Sequence, residues 1–467
     1  MKCWFLIALL LSPSAALADL VLGTPFGDHM VVQHDKPVHV WGWDEPGQVV
    51  RLYLGGASAR AICGDDGKFE AELPAPALGI EHELAAEGTT AVRLSNVVAG
   101  DVWFCAGQSN MNFPLFKSAE WPAVEAGATV PGVRMFNIKQ ATAAEPQATG
   151  MGEWVVADPA LIKHRSAVAY HFAVTLHEAT GRPVGIVQAA YGGTMIEAWL
   201  PADAIDASPA GPQVRAWWKR WMQINEPKLA ESKTIRSRRK RFEPSGIYHA
   251  MQHPFEPLSI AGVLWYQGES NALMPARYAD LFPSIVDAWR SNFRDEALPV
   301  VTTQLPNFEP PKDDWAMFRE VQRNLADELA GVGMAVAIDL GDPDDIHPTN
   351  KRTLGRRLAD VALARAYDTD RPLSPRPITA RREGGAIIID FEHIGEGLEL
   401  RGCGAFEIID SEGQVHVVDA TLRDNTVRVA FNGEAATVRY AYANNPTPTL
   451  FNKTGLPAVP FVMEVQR

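Results

Sequence analysis

Five short apolar runs through the middle of the chain, at residues 102–106, 184–189, 263–266, 300–304 and 333–340, constrain its fold more than any other feature. Short apolar runs without polar alternation read as strands covered on both faces. Helical patterns lie between them at 167–178, 278–291 and 315–329. After the last run, Thr349 or Asn350 can cap a further helix through Leu354 and Leu358 to Ala366. Strands that alternate with helices predict an α/β fold, a three-layer α/β/α domain with a mostly parallel, doubly wound sheet.

The two flanks carry a different texture. From about residue 20 to 94 apolar and polar residues alternate, as in Val49-Val50-Arg51-Leu52-Tyr53-Leu54, with Glu45-Pro46-Gly47 and Asp65-Asp66-Gly67 as turns. From residue 371 onward short strands return, at 386–389 and 437–440, with Glu412-Gly413 and Asn432-Gly433 as turns. The expected division is a β-sandwich-like unit at 19–97, the α/β domain at 98–372 and a β domain at 373–467. Residues 1–18 read as a cleavable signal peptide, with Lys2, an apolar stretch at 4–11 and the small-x-small Ala16-Leu17-Ala18. A mature protein starting near Asp19, secreted or periplasmic, is therefore expected. No later segment reaches the roughly 20 apolar residues that a spanning helix needs, so no stable membrane insertion is expected.

A length of 467 residues asks for more than one domain, and a formal charge of −13 argues against nucleic acid or an anionic membrane as the main partner. Once the leader is removed, Cys63, Cys105 and Cys403 remain. They lack CxxC spacing and neighbouring histidine pairs, so a structural zinc site is not expected, and an odd count leaves room for one disulfide at most. Buried free thiols are the expectation.

In a parallel sheet of this kind, ligands bind beyond the carboxyl ends of the strands. Four polar clusters occupy those positions here: Gly107-Gln108-Ser109-Asn110, Tyr191-Gly192-Gly193-Thr194, Gln267-Gly268-Glu269-Ser270-Asn271 and Asp344-Asp345-Ile346-His347. Together they supply a hydroxyl nucleophile, a glycine pair able to aim backbone N–H groups, amide side chains, and an acid beside a histidine. That set suits acyl transfer. Ser109 needs a base to take its proton; His347 titrates near neutrality and fits the role. Asp344 or Asp345 would hold the imidazole. The spacing of three puts Asp344 ahead, and Asp345 stays open. Candidate oxyanion or substrate donors are the backbone N–H groups of Ser109, Gly192 and Gly193 and the amides of Gln267 and Asn271, with Gln108 and Glu269 in the same walls. Gly192-Gly193 also fits a turn that needs positive φ.

These motifs carry a resemblance. Gly107-Gln108-Ser109-Asn110-Met111, Tyr191-Gly192-Gly193-Thr194 with Ile196-Glu197-Ala198-Trp199, Trp265-Tyr266-Gln267-Gly268-Glu269-Ser270 and Asp345-Ile346-His347-Pro348 resemble those of the sialate O-acetylesterases, carbohydrate esterases of the SGNH hydrolase superfamily. The likeness extends to Asp28-His29-Met30-Val31-Val32-Gln33 and to Asn452-Lys453-Thr454-Gly455-Leu456-Pro457. It implies an SGNH-like domain, Ser109 as nucleophile, His347 as base, the loops at 192–193 and 267–271 as oxyanion and substrate walls, an O-acetylated sugar as substrate, and neither metal nor organic cofactor. Members often carry Asn at the position of Asp344 and Glu at that of Asn112; the former favours Asp345 or a Ser–His dyad in them.

Rival readings are acetylxylan or another acetylated polysaccharide as substrate, and a non-catalytic carbohydrate-binding protein, against which the serine-plus-histidine set weighs. A lipase-type nucleophile elbow is excluded because the second glycine of Gly-x-Ser-x-Gly is Met111. His249 and His253 are spaced like a metal pair but lack an HExxH glutamate, so a cleft-wall or core role is expected. Arg319 and Gln322 are further candidates to reach the site. Trp217, Trp218 and Trp221 could stack on sugars or pack a helix, and the basic run from Lys233 to Arg241 could meet a sugar carboxylate or form a solvated lid.

Overall fold

The fold is mixed α/β. A computed structural model describes residues 19–310, 312, 314–402 and 405–466; the expected signal peptide at 1–18 and Cys403 lie outside the described residues. One long strand, β1 (Ala91–Gly107), joins the N-terminal unit to the central sheet. Its first six residues alternate between exposed and half-buried, and residues 97–107 are buried without a break. The change records what covers the strand: one face early, both faces later. Its early part pairs with strands Glu81–Glu87 and Val31–Gln33, its later part with the central sheet. The expected boundary at 97/98 falls inside this strand, and the N-terminal residues Val40, Leu52 and Leu84 share one hydrophobic core with the α/β part.

Six more strands complete the central sheet: β2 (Val130–Asn137), β3 (Trp154–Ala157), β4 (Val184–Ala190), β5 (Gly262–Tyr266), β6 (Val300–Thr303) and β7 (Val332–Ala335). Their order is β3-β2-β4-β1-β5-β6-β7. All neighbours run parallel except β3, which pairs antiparallel with β2 at the edge. Neither β2 nor β3 is expected from sequence, because Pro131-Gly132 interrupts the first and the second is only four residues long. Strand β7 is also shorter than the apolar run at 333–340. Val336 and Ile338 are buried not as strand residues but against Val459 of the C-terminal unit.

Helix α1 (Ala167–Thr180) starts at a Ser166 cap and stops at Gly181, whose φ of +68° is left-handed. Between β4 and β5 lie α2 (Gly211–Asn225) and α3 (Lys233–Phe242). Three more helices come after β5: α4 (Pro275–Asn292), α5 (Trp315–Glu328) and α6 (Lys351–Ala366). Asp314 caps α5, and Asn350 caps α6 by accepting from the Thr353 N–H at 3.1 Å. Helix α1 packs on α6, and α4 on α5.

The C-terminal unit has two four-stranded antiparallel sheets around its own core, which includes Ile387, Ile389, Ile408, Val427, Val438 and Tyr440. Among the described residues the two β flanks therefore do not share a core. Cys63 and Cys105 are buried free thiols, and burial pushes the Cys105 thiol far up. Among the described residues no helix is long and apolar enough to cross a membrane.

Candidate active site

Parallel register brings three loops to one level of the sheet: Gly107 on β1 sits opposite Ala190 on β4 and Tyr266 on β5. At Gly107 the backbone has φ +148°, and a Cβ there would run into the Tyr266 carbonyl oxygen, so only glycine lets the strands stay this close. The Gln108 N–H donates to Tyr266 O at 3.1 Å and the Tyr191 N–H to Gly107 O at 3.0 Å, which ties the three loops together. Half-buried Ser109 emerges at this junction. A Cβ added at Gly192 would lie 3.4 Å from the Ser109 Cβ, so the glycine turn adjoins the serine. Gly193 adopts φ +73°, and the Arg241 guanidinium of α3 lies over it, 2.8 Å from where a Cβ would be.

The histidine arrives on the loop between β7 and α6. His347 Nδ1 is 3.4 Å from Asp345 Oδ1, and the His347 backbone N–H donates to the same oxygen at 2.8 Å. Among the described residues Asp344 has no ion pair with His347, and its backbone N–H donates to Asp342 Oδ1 at 2.9 Å. Spacing put Asp344 ahead, but Asp345 takes the place because a carboxylate two residues back closes an Asx-type turn onto the His347 N–H. The 3.4 Å separation is looser than a formed hydrogen bond, as catalytic contacts in free enzymes often are. Phe113 stacks beside the imidazole, ring centroids 6.5 Å apart and tilted by 25°. Burial holds the His347 pKa below its ordinary value; the Lys351 and Lys117 charges act the same way, while Asp345 opposes them. Ser109, His347, Asp345, Gly192, Asn112 and Lys117 all line one cleft of about 510 Å³.

The amide candidates prove to be engaged elsewhere. Gln267 is fully buried, and its Nε2 donates to Thr194 O at 3.1 Å and to Asn271 Oδ1 at 2.7 Å. Asn271 is equally buried; its Oδ1 also accepts from the Ile196 N–H, and its Nδ2 donates to Glu197. One Nε2 hydrogen of Gln267 goes to the 191–197 loop and the other to Asn271, which itself bonds that loop, and neither amide lines the cleft. Gln108 Oε1 accepts from the Ser270 N–H at 3.2 Å, another loop tie. Glu269 Oε1 accepts from Asn110 at 2.6 Å, below the cleft and not in its wall. Of the candidate donors, the residues that line the cleft are Ser109 and Gly192.

Other features fall outside the cleft. His249 and His253 each pair a ring Nδ1 with a carbonyl of the neighbouring loop, Ala143 O at 3.2 Å and Gln147 O at 3.0 Å. Arg319 is 1% exposed and reaches Pro306 O, Ala443 O and Asn444 O, while Gln322 bonds the backbone of Thr303 and Leu305. Neither lines the cleft. The Trp218 and Trp221 rings stack on each other 5.1 Å apart, and Arg277 covers Trp217. Lys351, fully buried, is a residue that sequence reasoning missed. A signal for it existed: Lys351 lies in phase with Leu354 and Leu358 on the apolar stripe of α6.

A hydroxyl, an imidazole with a carboxylate behind it, and a glycine turn around one cleft suit ester hydrolysis, and comparison with known proteins agrees. The family model described as carbohydrate esterase, sialic acid-specific acetylesterase matches residues 99–364. The sialate O-acetylesterase of Rattus norvegicus is 27% identical over 399 residues, 73% of this chain and 72% of that protein. That of Mus musculus is 24% identical over 94% of this chain and 93% of its own length. The crystal structure of a carbohydrate acetylesterase from Xanthomonas citri superposes with a TM-score of 0.84 at 32% identity, covering 95% of this chain and 99% of that one. The chain is a carboxylic ester hydrolase and belongs to the sialic acid-specific acetylesterase family of carbohydrate esterases.

Proposed function

We propose that this protein removes O-acetyl groups from sialic acids through an acetyl-serine intermediate on Ser109, in an SGNH-type domain spanning about residues 98–372. The observation that carries the reading is the convergence of Ser109, His347 and Asp345 on one cleft. His347 faces Asp345 through Nδ1, which leaves Nε2 to take the Ser109 proton as Oγ attacks the acetyl carbonyl. The sugar hydroxyl then leaves with that proton, and a water deprotonated by the same imidazole releases acetate and frees the serine. Backbone N–H groups of Ser109 and Gly192 face the developing oxyanion; a donor of this kind is worth about 3 to 4 kcal/mol in the transition state.

An acidic sugar fits the charge near the cleft. The protein carries −13 overall, yet Lys117 lines the cleft and Arg241 overhangs the adjoining glycine turn. Cations there offer a partner for a sugar carboxylate. Neutral acetylxylan is the rival substrate, and acetate release from O-acetylated sialic acids and from acetylxylan separates the two. With 4-nitrophenyl acetate, Ser109→Ala and His347→Ala are expected to lower kcat by at least about a thousandfold. Turnover retained in either variant removes that residue from the mechanism. The leader-like residues 1–18 support a secreted or periplasmic site of action, which N-terminal sequencing of the mature protein tests.

A further inference from the structure

Beneath the cleft lies a buried polar cluster that the mechanism above does not use. Asn110, next to the nucleophile, is fully buried and touches three separate parts of the chain. Its Nδ2 donates to Ile346 O at 2.9 Å, one residue before His347, and to Glu269 Oε1 at 2.6 Å. Its Oδ1 accepts from Lys351 Nζ at 2.6 Å. Lys351 is fully buried at the start of α6, its ammonium 4.8 Å from the Phe113 ring centroid, and Glu269 is 7% exposed. A short amide thus spans from the serine loop to the histidine loop.

The amide has two ends, and only one orientation works. As an ammonium Lys351 can only donate, so it requires Oδ1; the Glu269 carboxylate and the Ile346 carbonyl can only accept, so they require Nδ2. Turned over, the amide would set an oxygen against two acceptors and a donor against a donor. We propose that Lys351 and Glu269 are positioning residues that lock the Asn110 amide in one orientation, so that it clamps the His347 loop to the Ser109 loop. The proposal rests on the reading of Ser109 and His347 as the reacting pair. Burial pushes the Glu269 carboxyl up to about 6 and the Lys351 ammonium down to about 7. The charges of Glu269, Glu120 and Asp345 act against that lowering at Lys351. A buried lysine and glutamate are costly to keep without such a task.

The test is steady-state kinetics of the full chain with 4-nitrophenyl acetate, together with thermal melting. Lys351→Met is expected to lower kcat by about tenfold to a hundredfold, the loss typical of misplaced reacting groups, with KM within about threefold. Asn110→Ala should lose at least as much. Because Lys351 acts through Asn110, the double variant should fall no further than Asn110→Ala alone, within about threefold. If the two losses multiply, or if folded Lys351→Met keeps kcat within about twofold, the clamp is wrong. Should Lys351→Met fail to fold, Glu269→Ala carries the test: its kcat should fall, and Glu269→Gln, which restores an acceptor, should recover most of the loss. Equal losses in Glu269→Ala and Glu269→Gln overturn the orientation argument. Ser109→Ala separates the two levels: an active Ser109→Ala defeats the proposed mechanism, whereas an inactive Ser109→Ala with fully active Lys351→Met defeats the clamp alone.

Discussion

In the proposed mechanism His347 serves as a base only when neutral, and its surroundings hold its pKa below the ordinary histidine value. The acid limb of kcat/KM should therefore be centred below the usual histidine range, with activity rising through that limb and flat above it. Asp345 is the neighbour that raises the value, so Asp345→Asn should move the limb to lower pH and lower the plateau by about tenfold to a hundredfold. Lys351 and Lys117 act in the opposite sense, so Lys351→Met should move the limb upward. Asp344→Asn should leave the profile where it is; a shift equal to that of Asp345→Asn would reverse the assignment. Rates measured across the acid and neutral range decide among these outcomes. The serine and the histidine are readable as letters because the chemistry demands those side chains. The choice between two adjacent aspartates is not, because it depends on a turn closing onto the His347 N–H.

Gly107 shows how the strands themselves build the cleft. A Cβ at that point meets the Tyr266 carbonyl oxygen, and the φ of +148° is unsuited to other residues, so Gly107→Ala must pry β1 from β5 or distort the serine loop. The expected outcome is a lower melting temperature and loss of most esterase activity; a variant with normal melting and turnover would show that the close approach is dispensable. Gln267→Ala should behave differently. It takes the Gln267 donor from the buried Thr194 carbonyl, a cost of about 1 to 3 kcal/mol readable by urea unfolding, while Asn271 Oδ1 keeps the Ile196 N–H. The interior strands were legible because coverage on both faces forces an unbroken apolar run. The edge strands β2 and β3 were not, since Pro131-Gly132 breaks the pattern of one and the other is too short to show any.

The C-terminal unit is held to the α/β part by Arg319, whose guanidinium donates to carbonyls on both sides, Pro306 O in one and Ala443 O and Asn444 O in the other. Arg319→Ala takes the guanidinium from the Ala443 carbonyl, while Pro306 O keeps the Trp315 Nε1–H and Asn444 O the Phe308 N–H; it should lower stability by about 1 to 3 kcal/mol in urea unfolding, while the intact cleft keeps KM for 4-nitrophenyl acetate. A KM that rises tenfold would mean that the C-terminal unit shapes the cleft. The arginine stood out in the chain, but nothing local told its partners, of which Asn444 lies 125 residues away. The same division runs through the protein. Element type, the α/β centre with β-rich flanks, and the nucleophile and base candidates were written in local pattern, because burial on one or two faces and reaction chemistry each dictate residue type over short stretches. Which aspartate meets His347, which amides are spent on holding loops, and the Asn110–Lys351–Glu269 cluster came from packing between distant segments. Asn110 and Lys351 are 241 positions apart, and no pattern along a chain records a contact that folding alone brings about.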